Sequence, residues 1–176
     1  STTSSTTSST TSSTTSSTTS STTSPTECGT MTVKKDGATY TINNLNNTLL
    51  ISSGARRLDI RGSLDSGTFV LTVSDYDFNK QPENGIKVQT YFQNQSKKDC
   101  KIDGFISYCP GMLGSFSKNN KLYMAFEPEG DGSIVISSID TINKKVSGNF
   151  NFVAFYGRES ITFSGSFSNV CYKIIQ

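Results

Sequence analysis

The sequence predicts an all-β fold, an antiparallel sandwich with a barrel as the alternative, built from about ten to twelve short strands. Three observations predict it. The hydrophobic period across residues 29–176 is two, not the 3.6 of a helix. β-Branched and aromatic residues occupy one parity while Ser and Thr occupy the other, as a half-buried sheet face requires. Turn signals recur between the runs: Lys35-Asp-Gly37, Ser53-Gly54, Asp65-Ser-Gly67, Glu83-Asn-Gly85, Gly130-Asp-Gly132 and Tyr156-Gly157.

Residues 1–24 precede that pattern and are six copies of Ser-Thr-Thr-Ser, followed by Pro25, Thr26 and Glu27. They contain no apolar side chain to offset an ordering cost of roughly 1–2 kcal/mol per residue. Residues 1–27 are therefore expected to be a disordered linker or stalk, and residues 28–176 one all-β domain. A tract of hydroxyl side chains ending in Pro is also an acceptor for O-linked sugar, which would stiffen it. The chain starts at Ser1 without Met, which gives the expectation of a removed signal peptide. A lipid-modified Cys before Ser1 would add an anchor; Pro25-Thr26-Glu27 is not the small, apolar run that would make Cys28 one.

Strands follow in order near 30–35, 38–43, 47–52 and 57–62, then at Thr68-Phe-Val-Leu-Thr-Val73, where Phe69, Leu71 and Val73 share a face. Further runs lie near 86–93, 101–108 and 121–126. Ser133-Ile-Val-Ile-Ser137 aligns Ile134 with Ile136. Val146–Ala154 aligns Val146, Gly148, Phe150, Phe152 and Ala154, and Ser160–Phe167 aligns Ile161, Phe163, Gly165 and Phe167. These two runs form the strongest hairpin and place Phe at the centre of the core. A last strand falls near 170–175. The stretch 94–120 is the least regular and is expected to be a long excursion.

Four cysteines, Cys28, Cys100, Cys109 and Cys171, have no C-x-x-C spacing, and the chain has no His, so a zinc site would need all four thiolates at irregular spacing. An even count behind an extracellular-looking tail favours two disulfides, with three pairings possible. We favour Cys100–Cys109, closing a short loop around Asp103-Gly104, and Cys28–Cys171, tying the first strand to the last.

Sixteen Lys plus Arg against fourteen Asp plus Glu give no electrostatic reason to expect nucleic acid, and no apolar run is long enough for a transmembrane segment. The absence of His removes the Ser–His–Asp and Cys–His nucleophiles and a His general base. Asp75, Asp77 and Asn79, with Gln81 and Glu83, alternate oxygen ligands as a calcium loop does. Lys80 and Ile86 stand where such a loop needs Gly and a bidentate Glu, so a polar inter-strand loop is the plainer expectation. Glu127-Pro-Glu-Gly-Asp-Gly132 offers two close carboxylates, the minimum for a glycosidase, but reads first as a hairpin connection. Arg56, Arg57 and Arg61 with Lys34 and Lys35 read as strand-edge charge. Asn46-Asn-Thr48 and Asn94-Gln-Ser96 match the N-glycosylation sequon. Tyr76, Phe78, Tyr91, Phe92, Tyr108, Phe116 and Tyr156 sit beside loops; converging, they would stack on sugar or pack on a protein, and otherwise they cap the core.

The order of three C-terminal motifs carries a resemblance. Gly132-Ser-Ile-Val-Ile-Ser-Ser-Ile-Asp140 is followed by Asn143-Lys-Lys-Val-Ser-Gly-Asn-Phe-Asn-Phe152, then by Ile161-Thr-Phe-Ser-Gly-Ser-Phe-Ser-Asn-Val170. With Met31–Tyr40 as opening strand and turn, the series resembles a family of small secreted or lipid-anchored β proteins of unknown function common in Bacteroidota. The resemblance implies an exported, envelope-associated domain with an antiparallel β fold, and brings no catalytic residues. Asp140-Thr-Ile142 also resembles the O-glycan acceptor tripeptide of Bacteroidota.

The expected function is a non-catalytic module at the extracellular or outer-membrane surface, displayed on the Ser/Thr stalk. Adhesion, surface assembly (including a filament subunit) or binding would be its role, with a surface protein, a glycan or another copy as partner. A lipocalin-like binder of a small apolar ligand is the alternative; it needs an internal cavity of a few hundred Å³. A carboxylate-based glycosidase is the third reading. No cofactor is expected other than the calcium considered at Asp75, Asp77 and Asn79.

Overall fold

The computed structural model describes residues 27–52, 55–76, 86–93, 101–103, 106–108, 110–125 and 132–176. Among these residues fourteen strands run in chain order: β1 Met31–Lys35, β2 Ala38–Ile42, β3 Thr48–Ser52, β4 Ala55–Leu64, β5 Gly67–Tyr76, β6 Thr90–Phe92, β7 Lys101–Asp103, β8 Ile106–Tyr108, β9 Gly111–Lys118, β10 Lys121–Met124, β11 Ser133–Asp140, β12 Lys145–Tyr156, β13 Glu159–Cys171 and β14 Lys173–Ile175. The all-β, disulfide-bonded class is as expected. Twelve strands form one sheet curled into a half-barrel, in the order β14-β3-β4-β5-β9-β10-β12-β13-β1-β2. β11 pairs with β12 and with β6, and β7–β8 form a separate ribbon. Among the described residues every pairing is antiparallel except β14 with β3. Among the described residues no helix is long and apolar enough to cross a membrane.

Hairpin turns set the registers. Lys35 pairs with Ala38, Leu64 with Gly67 and Lys118 with Lys121, so each connection is two residues long. Asp36-Gly37, Asp65-Ser66 and Asn119-Asn120 all have positive φ, the conformation that follows the right-handed twist of flanking strands.

β9 corrects the expectation of an excursion over 94–120. It is a central strand paired with β5 on one side and β10 on the other. Met112 and Phe116 point inward, and between them Gly114 makes room for the Phe152 ring, 2.4 Å from where a Cβ would stand. β4 likewise lies between β3 and β5, so its arginines are not edge charges. Arg56 is buried on the inner face, while Arg57 and Arg61 flank Asp59 on the outer one.

The core is aromatic at its centre, as the Phe-rich hairpin predicts. Phe69 lies 5.6 Å from Phe150 and 5.3 Å from Phe163, and Phe152 lies 5.1 Å from Phe163. Full burial of each such ring stabilises the fold by about 1.5–3 kcal/mol. Gly148 and Gly165 stand where a Cβ would meet the carbonyls of Val135 and Thr32, 2.1 and 2.0 Å away.

Hydrogen bonds close the seam where β13 passes into β14 and the chain crosses to β3, while the disulfide ties the flank of β1 to its sheet neighbour β13. Cys28, just before β1, bonds Cys171 at the end of β13 across 143 residues; the cysteine pairing is the predicted one, although the last strand is β14 and not the one that carries Cys171. Cys100 and Cys109 lie outside the described residues. Beyond Cys171 the chain crosses to β3, where Lys173 N–H donates to the Asn47 carbonyl at 3.0 Å.

Candidate functional site

Curling one sheet leaves an opening where the β11–β12 hairpin faces β3 and β4. Inward positions of these strands are apolar because each alternates with period two. Leu49 of β3 is directly opposite Leu58 of β4, and Ile139 of β11 is directly opposite Val146 of β12. The two cross-strand pairs line one cavity of about 340 Å³, completed by Ile51, Ile86 and Ile174. Ile174 comes from β14, whose parallel register sets it beside Leu49.

The polar groups of the cavity gather at the hairpin turn and the last residues: Thr141, Lys144, Tyr172 and Gln176. Asp140 organises that turn. Its carboxylate accepts from Ile142 N–H at 3.0 Å, Asn143 N–H at 2.9 Å and Asn143 Nδ2 at 2.7 Å. The bonds from Asn143, and then from Ile142, hold its pKa below the usual carboxylate range. Lys144 has φ +56°, and its Nζ donates to the Thr141 carbonyl at 3.3 Å. Its own carbonyl accepts from Tyr172 N–H at 2.9 Å. Tyr172 is only 7% exposed. Burial, reinforced by the Asp140 charge, raises its pKa, so it stays a neutral donor.

The residues singled out from the sequence are elsewhere. Asp75 is a buried group of β5, accepting from Tyr91 Oη at 2.6 Å and Gln89 Nε2 at 3.2 Å, with Lys87 Nζ at 3.9 Å. Asp77, Asn79, Gln81 and Glu83 lie outside the described residues, as do Glu127, Glu129, Asp131 and Asn94. Asn46 of the other sequon is exposed. Among the described residues, the aromatics beside loops divide between core and surface. Tyr91 and Phe116 are in the core, whereas Phe92 and Tyr156 are about half exposed. The side chains of Tyr76, Phe78 and Tyr108 are not described. Tyr156 packs 5.7 Å from Tyr123, whose hydroxyl donates to Glu159 at 2.6 Å.

The cavity residues carry no motif. Asp140-Thr-Ile142 and the Asn46-Asn-Thr48 sequon before Leu49 are the nearby tripeptides with a sequence signal, and the Asp140 carboxylate caps the β11–β12 turn beside the cavity. A family described as a domain of unknown function (DUF6252) matches residues 27–171. No curated protein and no solved structure matches the chain.

Proposed function

The chain belongs to the DUF6252 family, whose function is unknown, and on that premise we propose that it is an exported, non-catalytic module that binds a small apolar ligand. The cavity between Leu49, Leu58, Ile139 and Val146 carries this reading. At about 340 Å³ it falls at the lower end of the roughly 300–1,000 Å³ typical of small-molecule sites, with apolar walls and few polar groups. Surface residence is supported by the Cys28–Cys171 disulfide, a bond favoured in oxidising compartments, and by the Ser/Thr tail, whose composition suits a spacer. The absence of His supports a binding role over nucleophilic or His-based acid–base catalysis.

The test is titration of the full chain with a medium-chain alkyl alcohol, followed by calorimetry and by NMR. Saturable binding with shifts centred on Ile139, Val146 and Leu58 is expected. Val146→Phe, which fills the cavity, should abolish binding while leaving the far-UV circular dichroism unchanged. Binding unaffected by Val146→Phe, or no binding at all, overturns the reading.

A further inference from the structure

Resting on the cavity reading, we infer that Ile86 is the stop that sets how long a ligand chain the cavity accepts, and that Asp75, acting through Tyr91, is the positioning residue that holds it there. Ile86 is 5% exposed and lines the cavity, yet it belongs to no strand. The other aliphatic lining residues, from Leu49 of β3 to Ile174 of β14, all sit in strands whose registers are fixed by pairing. Side chains replace that pairing around Ile86. Lys87, Gln89 and Tyr91, each two residues apart, all reach one carboxylate. Tyr91 Oη donates to Asp75 Oδ2 at 2.6 Å, Gln89 Nε2 donates to the same oxygen at 3.2 Å, and Lys87 Nζ lies 3.9 Å from Oδ1. Donation to Asp75 leaves the Tyr91 oxygen to accept, and it accepts from the Lys87 N–H at 2.9 Å, beside Ile86 in the chain. A hydroxyl bonded to a carboxylate is polarised, which strengthens the bond it accepts. Asp75 thereby fixes the backbone next to Ile86 through one fully buried ring.

Placement along the strands makes Ile86 an end wall. Thr141 and Lys144 line the cavity at the β11–β12 turn. Tyr172 N–H donates to the Lys144 carbonyl and Lys173 N–H to the Asn47 carbonyl, so the Leu49 end of β3 adjoins that turn. Farther along β3, Ile51 is opposite Arg56, which is opposite Asp75. On the other wall, Ile136 N–H of β11 donates to the Gln89 carbonyl at 2.9 Å, well before the strand reaches the turn. Asp75 and the segment it holds are therefore at the end of the cavity remote from the polar groups. An alcohol keeps its hydroxyl among those groups, because burial against aliphatic walls would leave it unpaired, and its chain runs toward Ile86.

The experiment measures, by calorimetry on the full chain, the affinity of primary alkyl alcohols of increasing carbon number. Each added methylene should tighten binding about fourfold until the chain meets Ile86, and the gain should then stop. Ile86→Ala should extend the rise to longer alcohols. Tyr91→Phe keeps the ring and removes the hydroxyl; it should extend the rise likewise, and the double variant should add nothing to the larger single effect. Phe152→Leu, a destabilising change outside the cavity lining, should leave the limit in place. In the parent chain the NMR signal of the Lys87 N–H should shift when the longest alcohol that binds is added, a readout that needs no variant. An unmoved limit in Ile86→Ala overturns the stop. A limit moved by Ile86→Ala but not by Tyr91→Phe, one moved equally by Phe152→Leu, or a Lys87 signal indifferent to the alcohol overturns the positioning role of Asp75 and Tyr91. Each of these leaves the cavity reading standing, whereas failure of alcohols of every length to bind overturns both.

Discussion

The buried side chain of Asn47 donates to the carbonyl of Cys171 at 2.8 Å while accepting from the Arg61 N–H at 3.1 Å. One amide thereby satisfies two backbone groups on opposite sides of the seam, next to the disulfide. Asn47→Leu removes both bonds and strands a donor and an acceptor, each costing about 1–3 kcal/mol. A loss of about 2–4 kcal/mol is expected in urea denaturation. Asn47→Asp keeps the acceptor but places a carboxylate against the Cys171 carbonyl, so its loss should be larger at pH 7 than at pH 4. A change within 0.5 kcal/mol for Asn47→Leu would show that water replaces the amide at the seam.

The disulfide beside it encloses almost the whole domain. Chain-entropy reasoning for a loop of 143 residues gives about 5 kcal/mol, and measured losses for native bonds are typically 2–5 kcal/mol. The double variant Cys28→Ala/Cys171→Ala should fall in that range by denaturant midpoint at constant slope. Natively produced, denatured but unreduced chain should also show no free thiol by titration. Four free thiols would contradict export.

Period-two alternation made nearly every strand of the half-barrel legible, because inward residues such as Phe69, Leu71 and Val73 are consecutive in parity and unmistakably apolar. β9 was hidden for a physical reason. One of its inward positions is Gly114, outward positions are Ser115 and Ser117, and Pro110-Gly111 and Asn119-Asn120 at its ends resemble loop. The readable signal was the Asn119-Asn120 pair between Lys118 and Lys121, a two-residue hairpin turn. The cavity was not legible at all. Leu49 and Val146 have the same pattern as core residues; whether facing walls meet or leave a gap depends on how far the sheet curls, a property of the whole strand order. Arg56 was misread because outward charge was assumed for a run whose parity puts it inside.

Gly114 and Phe152 are predicted to be energetically coupled. A methyl at Gly114 would stand 2.4–2.6 Å from three atoms of the Phe152 ring, and that ring is pinned by Phe163 at 5.1 Å. Gly114→Ala should therefore cost about 1–3 kcal/mol as overpacking. Phe152→Leu alone should cost a comparable amount through lost volume, and the double variant should be less destabilised than the sum by about 1 kcal/mol or more. Strict additivity in that cycle would mean that the backbone of β9 moves to absorb the methyl.

Acid stability should depend on Asp59. Burial pushes its pKa up, but hydrogen bonds from Arg61 at 2.8 Å, Thr72 at 2.7 Å and Arg57 at 2.9 Å outweigh this and hold it below the ordinary value. A carboxyl group with a lowered folded pKa contributes stability that is fully present above the unfolded pKa, about 3.9, and is lost as pH falls through the folded value. Asp59→Asn should thus cost about 1–2 kcal/mol at pH 7, with the difference from the parent chain narrowing below about pH 4. Tyr91 acts at the other extreme. Its pKa is raised by burial and by the Asp75 carboxylate 2.6 Å away, so its contribution is intact below the unfolded value near 10 and declines above it. Tyr91→Phe should remove that alkaline loss, and its own cost should shrink as pH rises past 10. Stability curves measured by urea denaturation from pH 2.5 to 11 on the parent and both variants test the two signs together. A difference for Asp59→Asn that grows toward acid would reverse the assignment of Asp59 as a stabilising carboxylate.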